Sequence, residues 1–145
     1  GSGIPYDIRK SEAYSAYPEF DFEIPIGSTG DIYDRYIVRL AEMEQSLRII
    51  EQACNKLPDG PIMAEKVPKR IKPPVGEVYQ AVETARGEFG MYIVSQGDVK
   101  PYRIKLRTPS FANMSIFPEM AQDNLVADLV ANLGSIDVVI PEIDR

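Results

Sequence analysis

An apolar stripe restricts this chain more than any other feature. Tyr36, Leu40, Met43, Leu47, Ile50, Cys54 and Leu57 follow one another at steps of four and three, the spacing that lines one face of an α-helix. The stripe predicts a helix from Asp31 to about Leu57. Asp31 after Gly30 supplies an N-cap, and Asp34 in the first turn suits the helix dipole. Pro58, Asp59 and Gly60 stop the helix. A helix this long with one apolar face must be covered by something, so the fold is expected to be organised around it. Arg35, Arg39, Glu42, Gln45, Arg48 and Gln52 lie largely off the stripe and read as a solvated face. The alternative is that Arg35, Arg39 and Arg48 contact a partner subunit.

The remaining elements follow from period and punctuation. The opening to about Pro18 is tyrosine-rich without a period and reads as an extended arm. Phe20, Phe22, Ile24 and Ile26 alternate with Asp21, Glu23 and Pro25, the mark of a half-buried strand, with Pro25 placing it at a sheet edge. Pro61 to Val75 is a basic, proline-bearing connector. Glu77 to Thr84, Phe89 to Ser95 and Tyr102 to Arg107 read as three strands of an antiparallel meander. In the third, Arg103, Lys105 and Arg107 form a cationic face opposite a core face of Tyr102, Ile104 and Leu106. Thr108 and Pro109 start a short helix through about Met114. Asp123 is expected to cap another, ending near Gly134 with Leu125, Val126, Leu129, Val130 and Leu133 buried. The fold class is therefore α+β, one domain over residues 1–145, with the long helix packed with a small antiparallel sheet.

Composition narrows the chemistry. With 145 residues, 44% of them hydrophobic, the chain is long enough to bury roughly 68–70% of its unfolded surface. Cys54 is the sole cysteine and there is no histidine, so a cysteine or cysteine–histidine zinc site, a disulfide framework, a Ser-His-Asp triad and a Cys-His pair are all excluded. A formal charge of −6 argues against a phosphate-binding surface, hence against nucleic acid as a partner. Nucleotide binding by this chain has no support either, since neither G-x-G-x-x-G nor a Walker motif is present.

Two places are unusual. Glu83, Arg86, Gly87 and Glu88 crowd charges around a tight turn, and the blander reading is an exposed hairpin with a local ion pair. Asp137 interrupts the apolar run Ile136, Val138, Val139, Ile140, with Glu142, Asp144 and Arg145 following. Such a carboxylate lies either on a strand's polar face or buried with a partner, and composition alone favours the first.

Several long, ungapped strings are recognisable together: Gly1 to Lys10 (GSGIPYDIRK), Gly30 to Gln52, Arg86 to Ser95 (RGEFGMYIVS), Lys100 to Phe111 (KPYRIKLRTPSF) and Leu125 to Arg145 (LVADLVANLGSIDVVIPEIDR). They resemble the C-terminal portion of the hydrogenase-like large subunit, the D subunit, of respiratory complex I, the NADH:quinone oxidoreductases. The Gly1 to Gly3 opening, otherwise read as a cloning remnant, also matches that family. The turn from Glu83 through Arg86 to Gly87 looks like the E-x-x-R-G turn of nickel-iron hydrogenase large subunits. Hydrogenases hold their metals through two Cys-x-x-C pairs, which this chain lacks, so a nickel site is impossible here.

The resemblance implies a part in an oxidoreductase of electron transport, with NAD binding belonging to the whole complex. The chain would form one wall of a quinone chamber and bind no cofactor itself, the iron-sulfur cluster being carried on a neighbouring small subunit. Residue by residue, Asp137 and Val139 match positions that line or support the quinone pocket, and Glu142 and Arg145 match the terminal carboxylate and arginine. An ionised Asp137 held by a cation such as Arg145 would position or protonate the reduced quinone. Implied partners are the iron-sulfur small subunit and other complex I subunits, with the membrane arm reached through them. The implied location is a peripheral arm on the cytoplasmic face of the cell membrane. The short Pro61 to Val75 connector looks more like archaeal or anaerobic relatives that take electrons from deazaflavin or ferredoxin. Asp123 and Asn124 replace the family's usual Gly-His, and Pro141 a common glycine. From a different functional class, a truncated or split subunit would act as a structural or assembly module without a redox role.

Overall fold

A computed structural model describes residues 1–144; Arg145 lies outside the described residues. The elements in chain order are α1 (Ile8–Ser11), α2 (Ile32–Asn55), β1 (Gly76–Thr84), β2 (Gly87–Ser95), β3 (Arg103–Arg107), α3 (Pro109–Met114), α4 (Phe117–Met120), α5 (Val126–Ile136) and α6 (Ile140–Ile143). The fold is α+β, as the periods predicted. The sheet is an antiparallel meander in the order β1-β2-β3, with Tyr79 opposite Tyr92 and Tyr92 opposite Lys105. Thr84 pairs with Gly87 across the two-residue turn Ala85-Arg86. Gly87 sits at φ 131°, a backbone region that a side chain rarely adopts. At Gly90 the missing side chain leaves room for the Tyr79 ring to lie across the strand.

The expected strand over 20–26 does not form. The segment joins no ladder, and backbone groups of Asp21 and Glu23 bond to α2 side chains instead. Gln52 Oε1 accepts from the Asp21 amide at 2.9 Å, Gln52 Nε2 donates to the Asp21 carbonyl at 2.7 Å, and Gln45 Oε1 accepts from the Glu23 amide at 3.0 Å. Arg48 adds a 3.0 Å bond to the Asp21 carboxylate. Nor is the opening merely an extended arm. It contains α1 and a 3₁₀ turn at Tyr17–Glu19, and the Tyr14 and Tyr17 rings meet edge-on at 5.2 Å. Ile8 and Phe22 are buried there, the Phe22 ring lying under the Arg9 guanidinium at 4.8 Å and the Lys10 ammonium at 4.6 Å.

The two longer helices reverse the expected polarity. On α2, Tyr36, Leu40, Met43, Leu47 and Ile50 are all exposed, Leu47 by 66%. On α5, Val126, Val130 and Leu133 are likewise exposed, Val126 by 83%, while Asn132 and Ser135 are buried. The residues read as solvated meet instead. Arg35 donates from Nε to Ser135 Oγ at 2.8 Å and from a terminal nitrogen to Asn132 Oδ1 at 3.1 Å, and Arg39 donates to the Ser135 carbonyl at 2.7 Å. The helices therefore touch through a polar seam and leave their apolar faces in water. The solvated reading of Arg35 and Arg39 is corrected, since both bond to α5, whereas Arg48 stays on the exposed side and pairs with Asp21.

Three further expectations change. Tyr102 and Ile104 are exposed, so β3 lacks the apolar core face predicted for it. Asp123 adopts φ 58° and is not the cap. The α5 N-cap is Leu125, whose amide donates to the Asp128 carboxylate at 3.1 Å. The helix then continues through Gly134 to Ile136. The core is also smaller than the length allowed: the accessible surface is 11113 Å², whereas a compact monomer of 16.2 kDa exposes about 7,500 Å². Among the described residues no helix is long and apolar enough to cross a membrane.

Candidate functional site

Both unusual sequence features converge on one place. Asp137 is not on a strand. It is the residue closing α5, in the left-handed conformation at φ 50°, ψ 48°, which aspartate tolerates better than most side chains. From there Val138 and Val139 lead into the single turn α6. The Ala85-Arg86 turn reaches this corner: Arg86 Nε donates to the Asp137 carbonyl at 2.7 Å, and its terminal nitrogen lies 3.4 Å from Asp137 Oδ2. The Arg86 side chain is 27% exposed and that of Asp137 46%, so the contact is partly screened. Arg86 is fixed from behind by Asn113 of α3, whose Nδ2 donates to the Arg86 carbonyl at 3.1 Å.

On the far side of the tail, α3 provides a second hold. Its opening residues Thr108, Pro109 and Ser110 are buried. Thr108 is the N-cap by position, as expected, but its hydroxyl donates to the Glu142 carbonyl rather than capping its own helix. The Ser110 hydroxyl donates to the Glu142 carboxylate and accepts from the Val139 amide at 3.1 Å. Asp137, Val139 and Glu142 are thus held along one stretch between Arg86 and Ser110. Arg145, the fourth tail residue singled out in the sequence, lies outside the described residues. The cation beside Asp137 among the described residues is Arg86.

The turn itself divides. Glu83 faces away from Arg86, toward the N-terminal segment, where its Oε1 accepts from the Tyr17 hydroxyl. Its Oε2 is buried with no hydrogen-bond partner among the described residues. Glu88 pairs with Arg107 at 3.3 Å and accepts from the Tyr6 and Tyr79 hydroxyls, each at 3.2 Å. The local ion pair expected within the turn is therefore replaced by longer-range partners. Gly87 matters through its backbone and through its closeness to Pro109, whose Cβ lies 3.4 Å from where a Gly87 side chain would begin. Thr108, Ser110 and Asn113 were missed by sequence reasoning; read as a helix start, they carry no signal of what they touch.

Two hollows lie elsewhere. One of about 670 Å³ is bounded by Tyr79, Tyr92, Lys105, Arg107 and Phe111. Another of about 390 Å³ is bounded by Ile4, Arg9, Ile24 and Val38 among others. Neither is lined by the tail. Among the described residues no group of three or more Cys, Asp or Glu side chains is placed to hold a metal ion.

Comparison with known proteins covers the whole chain. The family model described as the 49 kDa subunit of the respiratory-chain NADH dehydrogenase matches residues 1–72 and 65–145. The NADH-quinone oxidoreductase D subunit of Desulfotalea psychrophila is 60% identical over all of this chain and 39% of its own length. That of Syntrophobacter fumaroxidans is 58% identical over 99% of this chain and 38% of its own length. The corresponding protein of Desulforamulus reducens is 52% identical over 99% of this chain and 39% of its own length. The chain thus spans about two fifths of the length of these relatives. With a match that reaches from the first residue to the last, the chain belongs to the family of the respiratory-chain NADH dehydrogenase 49 kDa subunit, as a C-terminal portion of the D subunit.

Proposed function

We propose that this chain forms one wall of a quinone chamber in a NADH-quinone oxidoreductase, beside a partner subunit that carries an iron-sulfur cluster. The relatives' names supply the reaction class. The supporting observation in this chain is the Arg86 side chain bonded to both the carbonyl and the carboxylate of Asp137. A charged group at that corner is tethered by the turn instead of being free to swing. Reduction of a quinone to its hydroquinone takes up two electrons and two protons. A cluster on the partner subunit would supply the electrons; this chain's part is to shape the wall with Val139 and to present the Asp137 carboxylate where it orients the ring or passes on a proton. Glu142 and Arg145 belong to the same tail, and the Glu83–Gly87 turn supplies its support. The partners in this reading are the cluster-bearing small subunit and other complex I subunits, in a peripheral arm on the cytoplasmic side of the membrane.

The test is Asp137→Asn in the complete complex, which keeps the shape and removes the charge. Quinone reductase turnover is expected to fall at least several-fold, while assembly and NADH oxidation by an artificial acceptor stay unchanged. Full quinone reductase activity would end the proposal. The exposed apolar faces of α2 and α5 favour a second reading, an assembly module without a redox role. A complex that fails to assemble with Asp137→Asn would favour it.

A further inference from the structure

Ser110 is a fully buried side chain, 0% exposed, on a helix of only six residues. A buried hydroxyl without partners is costly, yet this one is used in both directions, donating to the Glu142 carboxylate and accepting from the Val139 amide. Those partners are the N-cap of α6 and a residue within it, and they lie on the stretch proposed to line the quinone chamber. Glu142 gains a further anchor through Thr108, whose hydroxyl donates to its carbonyl. Both hydrogen bonds of Ser110 thus reach the tail, and they fix direction as well as distance. On the other side, Arg86 pins the tail at Asp137. With one end pinned, the position of Val139 relative to Asp137 is set by what holds the other end.

We propose that Ser110 is a positioning residue for quinone binding, fixing Val139 and Glu142 against α3 so that the wall keeps one shape. This rests on the reading of the tail as a chamber wall, and it adds a residue that touches no quinone itself. The loss of Ser110 should therefore loosen the wall and weaken quinone binding without changing delivery of electrons.

The test uses the complete complex with Ser110→Ala, Glu142→Ala, Glu142→Gln and Val139→Phe, assayed with NADH and a short-chain benzoquinone. Ser110→Ala and Glu142→Ala are each expected to raise the quinone KM about 3- to 10-fold, with kcat changed less and artificial-acceptor activity unchanged. Glu142→Gln keeps an oxygen to accept the serine hydroxyl and should raise the quinone KM less than Glu142→Ala does. Val139→Phe, which fills the wall directly, reads the underlying assumption. If it shifts the quinone KM and neither Ser110→Ala nor Glu142→Ala does, the positioning role is overturned and the wall stands. If none of the variants shifts it, the wall reading fails and this inference falls with it. Should Ser110→Ala not assemble, Glu142→Ala reports on the same contact; failure of both to assemble overturns a positioning role in favour of a purely structural one.

Discussion

The Asp34 carboxylate accepts from three consecutive amides, those of Ser28, Thr29 and Gly30, at 2.6, 2.7 and 3.0 Å. Its own amide donates to Asp31 Oδ1 at 2.7 Å. Together these bonds hold the loop that launches α2. The hydrogen bonds from Gly30 and Thr29, joined by that from Ser28, hold the Asp34 carboxyl below its ordinary value, against a smaller opposing effect of burial. A carboxyl depressed in the folded state brings stability that is complete above its unfolded value of about 3.9 and is lost as pH falls through the lower folded-state value. In an NMR titration, the Asp34 carboxyl and the Ser28 to Gly30 amides are expected to shift together with a midpoint below about pH 3.9. A midpoint at or above that value would show that the amides do not favour the ionised form. The sequence placed Asp31 and Asp34 correctly because capping is local. Composition alone put Asp137 on a strand's polar face, and the family resemblance put it beside a cation instead; a left-handed residue between two helices leaves no periodic trace. Its tie to Arg86, 51 positions away, lies beyond any window of sequence.

At the scale of elements, the short-range signals held where neighbours along the chain decide structure. The three strands, their meander and the Thr108-Pro109 helix start all lie close to where alternation, turns and capping put them. The segment over 20–26 shows what overrides such signals. Its alternation is real and Phe22 is buried, but an extended chain needs partners for its amides, and here glutamines of α2 offer them before any strand does. This makes Gln45 and Gln52 the substitutes for a neighbouring strand. The double change Gln45→Ala and Gln52→Ala is expected to cost about 1 kcal/mol in all, at the low end for hydrogen bonds because the groups are exposed. Amide exchange at Asp21 and Glu23 should rise selectively, with protection of β1 to β3 unchanged. Faster exchange throughout the sheet would mean that the segment and the sheet unfold as one unit.

For the whole molecule, the apolar stripe of α2 was legible in the sequence and its orientation was not. A 3.6-residue period says that α2 has an apolar face, and it cannot say whether this part of the protein contains what covers that face. The same limit applies to α5, where Leu125, Val126, Val130 and Leu133, expected inside, are outside and Asn132 and Ser135 are buried. Leu47→Lys should therefore change the stability of the chain alone by no more than about 0.5 kcal/mol, as for surface positions generally. Introduced into the full-length subunit, it is expected to lower the yield of assembled complex sharply. A large loss of thermal stability in the chain alone would show that Leu47 is already packed. The polar seam of Arg35 and Arg39 against Asn132 and Ser135 also has a calorimetric consequence. Heat capacity rises on unfolding because apolar groups become hydrated, and exposing polar groups lowers it. Here the apolar groups of both helices are hydrated before unfolding begins, and parting the seam wets mainly polar atoms. Melting this chain should therefore absorb heat with a heat-capacity step well under the usual ~12–15 cal/mol/K per residue, giving a stability curve flatter against temperature than its length would suggest.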